Sequence, residues 1–169
     1  REKMKNKGVL FLVQAAMIAA VYVVLTFVFA PFSFGEFQVR ISEALTVLPV
    51  FTPTAIPGLF VGCLLGNFLG GALLPDVIFG SLATLIGAVL TYLLRRHGRF
   101  LAILPPIVSN TLIVPLVLRY AYGIMLPIPL QMVTVGVGEI ISCGVLGLLL
   151  AVALGKYQSQ IFRMPTVDR

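Results

Sequence analysis

Six stretches of this chain carry little or no charge: residues 9–30, 41–51, 56–74, 77–94, 100–118 and 129–154. A helix spanning the hydrocarbon core of a bilayer needs about 20 predominantly apolar residues, and only helices or closed barrels satisfy their backbone polar groups there. A succession of such runs dictates an all-α integral membrane protein. Composition agrees, because 59% of the residues are apolar and 11% charged, whereas soluble domains carry about 25% charged residues. So few charges cannot cover a surface facing water, and a soluble fold is excluded. At about 20 residues per crossing, the 169 residues hold six crossings at most. The expectation is one compact six-helix domain over residues 1–169, with no room for a nucleotide-binding domain.

The first run, Val9 to Ala30, has 22 residues, too many for a secretory h-region, and reads as a retained span. The second is short: 11 residues reach only about 17 Å as an α-helix. Loop charge decides whether it crosses, since Lys and Arg concentrate on the cytoplasmic side. With six crossings and the N-terminus inside, Arg1, Lys3, Lys5, Lys7, Arg95, Arg96, Arg99, Lys156, Arg163 and Arg169 are cytoplasmic, and only Arg40 and Arg119 lie outside. Five crossings reverse much of that balance. Six spans with both termini cytoplasmic are therefore expected, and Thr52–Gly58 becomes a tight cytoplasmic turn rich in Pro and Gly. Outside lie Pro31–Arg40, an aromatic-rich loop that reads as a lid, and the connections Leu74–Asp76 and Arg119–Pro129. Residues before Met4 and after Phe162 are given no function. No internal repeat is visible, which argues against an inverted-repeat transporter working alone.

Polar side chains at membrane depth are costly and mark functional sites by default. At 1.5 Å per residue, Glu139 lies about 15 Å, Asn110 about 12 Å and Asn67 about 10 Å below the outer ends of their helices. Glu43 sits near the outer end of the second helix, and Asp76 in an outer turn. The polar atoms converge on the outer half. Cys63, Asn67, Gly70 and Gly71, and likewise Gly136, Glu139, Cys143 and Gly147, follow spacings of three or four, so small residues share a face with the polar ones. Arg40 and Glu43, three apart, are placed to pair with each other. Cys63 and Cys143 read as small packing residues, and His97 as part of a basic cytoplasmic turn. Neither a Ser-His-Asp set nor metal-ligand spacing occurs, and Gly66–Gly71 lacks the Lys of a phosphate loop. Binding and passage are expected; enzymatic activity, a metal and a cofactor are not. Helix one carries two small-x-x-x-small pairs, Ala15 with Ala19 and Ala16 with Ala20. They suit close backbone approach, to a neighbour in the bundle or to a partner's helix.

The segment Phe37-Gln38-Val39-Arg40-Ile41-Ser42-Glu43-Ala44-Leu45-Thr46-Val47-Leu48-Pro49, followed by Ala55-Ile56-Pro57-Gly58-Leu59-Phe60-Val61-Gly62-Cys63-Leu64-Leu65-Gly66-Asn67, resembles the queuosine-precursor family. Its members are S components, the substrate-binding membrane subunits of energy-coupling factor transporters. The resemblance runs from Lys5 to Phe162. It implies a multi-pass protein of a prokaryotic plasma membrane that captures queuine or 7-aminomethyl-7-deazaguanine from outside. It also implies partnership with a transmembrane coupling protein and two cytoplasmic ATPases, docked through Ala15, Ala16, Ala19 and Ala20. A guanine-type edge offers adjacent N–H donors that a carboxylate accepts in pairs. Glu139 and Asn110 are accordingly assigned to that edge, Asn67 to the carbonyl or a ring nitrogen, and Glu43 or Asp76 to a cationic arm. Phe34, Phe37 and Tyr122 are candidates for stacking on the ring. The alternatives are a solitary small-solute permease and an S component for another vitamin.

Overall fold

The computed structural model of the protein describes residues 2–33 and 39–162, all of whose regular structure is helical. α1 (Glu2–Val28) is followed by one short turn, α2 (Ala30–Ser33). A 3₁₀ helix occupies Ile41–Val50, then come α3 (Ala55–Leu69), α4 (Leu74–Leu94) and α5 (Arg99–Tyr120). α6 is one apolar stretch, Ile128–Gly155, with a π-helical turn at Ile140–Leu146. By length and composition α1, α4, α5 and α6 are able to cross a membrane, while the 3₁₀ helix and α3 are shorter apolar helices.

The second apolar run is helical, but not as an α-helix. Pro49 has no N–H to give, and the Thr46 hydroxyl donates to the Glu43 carbonyl at 2.6 Å, so two links of an i→i+4 ladder are weakened or lost. The tighter winding also lengthens the segment, since a rise of about 2.0 Å per residue takes ten residues to about 20 Å. The turn after it is tied by its own side chains: the Thr52 and Thr54 hydroxyls lie 2.8 Å apart, and the Thr54 N–H donates to the Thr52 hydroxyl at 3.3 Å.

Two close helix contacts set the frame. α3 brings Gly58 and Gly62 against Ala15, Ala19 and Tyr22 of α1; a Cβ on Gly58 would lie 2.8 Å from the Ala15 carbonyl oxygen, and one on Gly62 2.8 Å from the Tyr22 Cβ. This is the small-residue packing expected where lipid supplies no hydrophobic drive between helices. α4 and α5 form a hairpin through the Arg95–His97 turn and Gly98, whose φ of 108° suits glycine. Ser109 donates to the Ala83 carbonyl at 2.9 Å, and Thr91 to the Ala102 carbonyl at 2.7 Å.

Polarity is distributed inside out. Leu12, Phe68, Leu93 and Val133 are exposed, while Thr26, Arg40, Glu43, Asn67, Asp76, Asn110 and Glu139 are buried. Water does not tolerate so much contiguous apolar exterior, and a bilayer does. This is a multi-pass membrane protein. α1 is the most peripheral of the four long helices, with the smallest share of its apolar length buried against the rest of the bundle.

Candidate functional site

The polar interior has two levels. The inner one is built on two irregular helices packed together. Glu43 projects from the 3₁₀ helix, and Glu139 is the last residue before the π-helical turn. Glu43 Oε1 accepts a short hydrogen bond from the Tyr22 hydroxyl and a second, at 3.4 Å, from Thr84 Oγ1. Its other oxygen, Oε2, is buried with no hydrogen-bond partner. The Cys143 thiol donates to Glu139 Oε2 at 3.1 Å, across a stretch where the backbone leaves α geometry. Asn110, from α5, faces both carboxylates. Ligating atoms of Glu43, Glu139 and Cys143 all lie within 4.8 Å of one another, which makes them the one cluster among the described residues with metal-donor chemistry. Sequence spacing puts Glu139 and Cys143 on one helical face, but not Glu43 beside them, because it comes from an element about a hundred residues away.

The outer level is organised by Arg40. Its backbone is extended (φ −91°, ψ 101°), so the side chain leaves the 3₁₀ helix instead of following it. The guanidinium donates through Nε to the Ser33 carbonyl at 3.3 Å and through Nη1 to Asn67 Oδ1 at 3.2 Å, and Nη2 stands 3.8 Å from Asp76 Oδ2. The Tyr122 hydroxyl donates to Asp76 Oδ2 at 2.9 Å and accepts from the Leu73 N–H at 3.2 Å. Burial pushes the Tyr122 phenol above its ordinary range, further from the neutral pH at which a phenol is already a donor. One arginine thus joins the end of α2, α3 and the start of α4, and Asp76 extends the link to the α5–α6 connection. The expected Arg40–Glu43 ion pair gives way to this one, since Glu43 turns inward to Tyr22 and Thr84 while Arg40 reaches across to Asp76.

The sequence model of the QueT transporter family matches residues 12–156, most of the chain and all of both polar levels. The chain belongs to the QueT transporter family. A curated member, the queuosine precursor transporter QueT of Lactococcus lactis subsp. cremoris (strain MG1363), is 37% identical over 85 residues, 49% of this chain and 50% of that protein. The match thus spans about half the length of the relative. No solved structure matches.

Within this QueT-family chain, the polar residues singled out in the sequence fall into two groups. Glu43, Asn110 and Glu139 meet at the inner level; Asn67, Asp76 and Tyr122 meet at the outer one. Asn67 is held at both ends of its amide, with Nδ2 donating to the Asp76 carbonyl at 3.4 Å and lying 3.6 Å from Cys63 Sγ. Phe34 and Phe37, proposed for stacking, lie outside the described residues. The alanine pairs of α1 divide: Ala15 and Ala19 are buried against α3, whereas Ala16 and Ala20 face outward. Packing inside the bundle therefore claims one pair and leaves the other free to meet a partner. Tyr22, Thr84 and the hub role of Arg40 are not evident from the sequence. The spacing of Asp76, Gly80 and Thr84 by four puts them on one face of α4, but says nothing of Glu43 meeting that face.

Proposed function

We propose that this QueT-family protein is the substrate-capturing S component of an energy-coupling factor importer, and that its cargo is a queuosine precursor of the 7-deazaguanine class. The observation that carries this reading is Glu43 Oε2, a buried carboxylate oxygen without a partner, beside Glu139 and Asn110. A buried acceptor left open costs about 1–3 kcal/mol, and a guanine-type edge with adjacent N–H donors satisfies it. Glu139 and Asn110 read that edge with Glu43, and Asn67 turns from Cys63 to the ring carbonyl. The name of the Lactococcus relative supports the cargo.

In this reading the chain crosses the membrane six times with both termini cytoplasmic, so the polar interior opens outward. Ala16 and Ala20, on the exposed side of α1, are where a coupling protein docks, and two ATPases act through that protein. Neither the coupling step nor ATP hydrolysis belongs to this chain.

Calorimetric titration of the detergent-purified protein with queuine, 7-aminomethyl-7-deazaguanine and guanine, with riboflavin and biotin as controls, tests the cargo. Selective binding of the deazaguanines is the expected result; binding of a control vitamin alone would overturn the assignment. Ala16→Arg and Ala20→Arg are expected to retain ligand binding and to lose co-purification with a coupling protein and ATPases from the native host. Uptake by the isolated chain in liposomes, without those partners, would replace the S component by a solitary permease.

A further inference from the structure

Two buried carboxylate oxygens among the described residues have no partner, Glu43 Oε2 and Asp76 Oδ1. They bracket one face of α4. Thr84, which donates to Glu43, and Asp76 are eight residues apart on that helix, a separation of about 12 Å along its axis. Gly80 lies midway on the same face. A Cβ there would come within 3.1 Å of both Asp76 Oδ1 and Asn67 Nδ2, so the glycine is what lets the tips of these two side chains turn inward over α4.

The inner pair cannot serve both ends of a bicyclic ligand. Glu43 and Glu139 place carboxylate oxygens within 4.8 Å of each other, close enough to grip neighbouring donors on one edge and too close to reach a donor at the far end of the ring system. Asp76 stands at the other end of the same α4 face, about 12 Å along the helix axis from Thr84. One of its oxygens is held by Arg40 and Tyr122, which fixes the carboxylate and leaves the other directed to the interior.

Resting on the function proposed above, we infer that Asp76 Oδ1 is the contact for the substituent arm of the 7-deazaguanine, and that it selects an arm carrying a protonated amine. The base then lies along α4 with its donor edge toward Glu43 and Glu139 and its arm toward the outer level. An ammonium gives Oδ1 a charge-assisted hydrogen bond. A nitrile at that place brings an acceptor against an acceptor, and a methyl leaves the oxygen unpaired. The assignment chooses Asp76 over Glu43 for the arm and gives Gly80 a purpose.

The test is a calorimetric comparison of 7-aminomethyl-, 7-methyl- and 7-cyano-7-deazaguanine on the full chain. Wild type is expected to bind the aminomethyl form about 10- to 100-fold more tightly than the other two, the range for a hydrogen bond to a charged group. In Asp76→Asn that ratio falls to near one while the 7-methyl affinity is kept. Equal affinities in wild type, which need no variant and no assumption about folding, would overturn the inference and leave the cargo class standing. A loss in Asp76→Asn that weakens all three ligands by one factor would overturn it as well. If none of the three binds, the proposed function falls and the inference with it.

Discussion

Glu43 is held at one oxygen by a phenol and a threonine hydroxyl and open at the other. That asymmetry makes Glu43→Gln informative, because the amide oxygen still accepts from Tyr22 and Thr84 while the charge is gone. Deazaguanine affinity is expected to drop about 10- to 100-fold, with the unfolding temperature in detergent held within a few degrees. A collapse of the apo protein instead would make Glu43 a structural residue. Asn110→Ala is expected to weaken binding in the same way, read by the same titration, since Asn110 faces both inner carboxylates. At this scale the sequence is legible wherever a side chain is expensive in a bilayer, and so Glu43, Asn67, Asp76, Asn110 and Glu139 stand out. Tyr22 and Thr84 do not, because both types are at home in apolar helices and only the fold tells which faces a carboxylate. The partner of Arg40 differs from the expected one for a backbone reason: pairing with Glu43 presumes helical dihedrals at both residues, and Arg40 is extended.

Elements add a constraint that single residues do not. α1 is seated on α3 through glycines that approach a backbone oxygen and a Cβ at 2.8 Å, so Gly62→Val must push the helices apart or unseat Tyr22. Overpacking of this kind costs about 1–3 kcal/mol. The expected outcome is a lowered unfolding temperature together with weakened ligand binding, because Tyr22 carries the short bond to Glu43. Ala20→Leu, on the outward side of the same helix, is expected to change neither. An unchanged melting curve for Gly62→Val would mean that α1 is not seated as described. The apolar runs locate the helices well, but charge-free length does not separate α3 from the longer helices: the run 56–74 is as long as 77–94, and α3 stops at Leu69 before Gly70 and Gly71. The 3₁₀ winding of Ile41–Val50 and the π-helical turn of α6 are not legible, because hydropathy reports where a segment is buried and says nothing about which carbonyl each N–H reaches. Both departures fall at the carboxylate-bearing segments, where irregular helices are often found at functional sites.

For the molecule as a whole, sidedness is the quantity to measure, and the chain is well suited to it. Its two cysteines, Cys63 and Cys143, are buried, so a membrane-impermeant maleimide is expected to leave the natural sequence unlabelled. Met125→Cys, in the exposed α5–α6 connection, should then react in intact cells, and Arg96→Cys, at the basic turn, only after permeabilisation. The reverse pattern would invert the proposed orientation and point the polar interior to the cytoplasm. The 3₁₀ helix also bears on how such a molecule meets an energised membrane. At about 20 Å it is only some two thirds of a typical hydrocarbon core, and it is buried among the longer helices, so it need not match the bilayer's thickness by itself. In the proposed orientation Arg40 stands at the outer end of this helix, with Glu43 one turn further in. In that orientation a cationic arm arriving from outside meets Asp76 before it has crossed much of the potential drop, which leaves the voltage to act chiefly on the inward step.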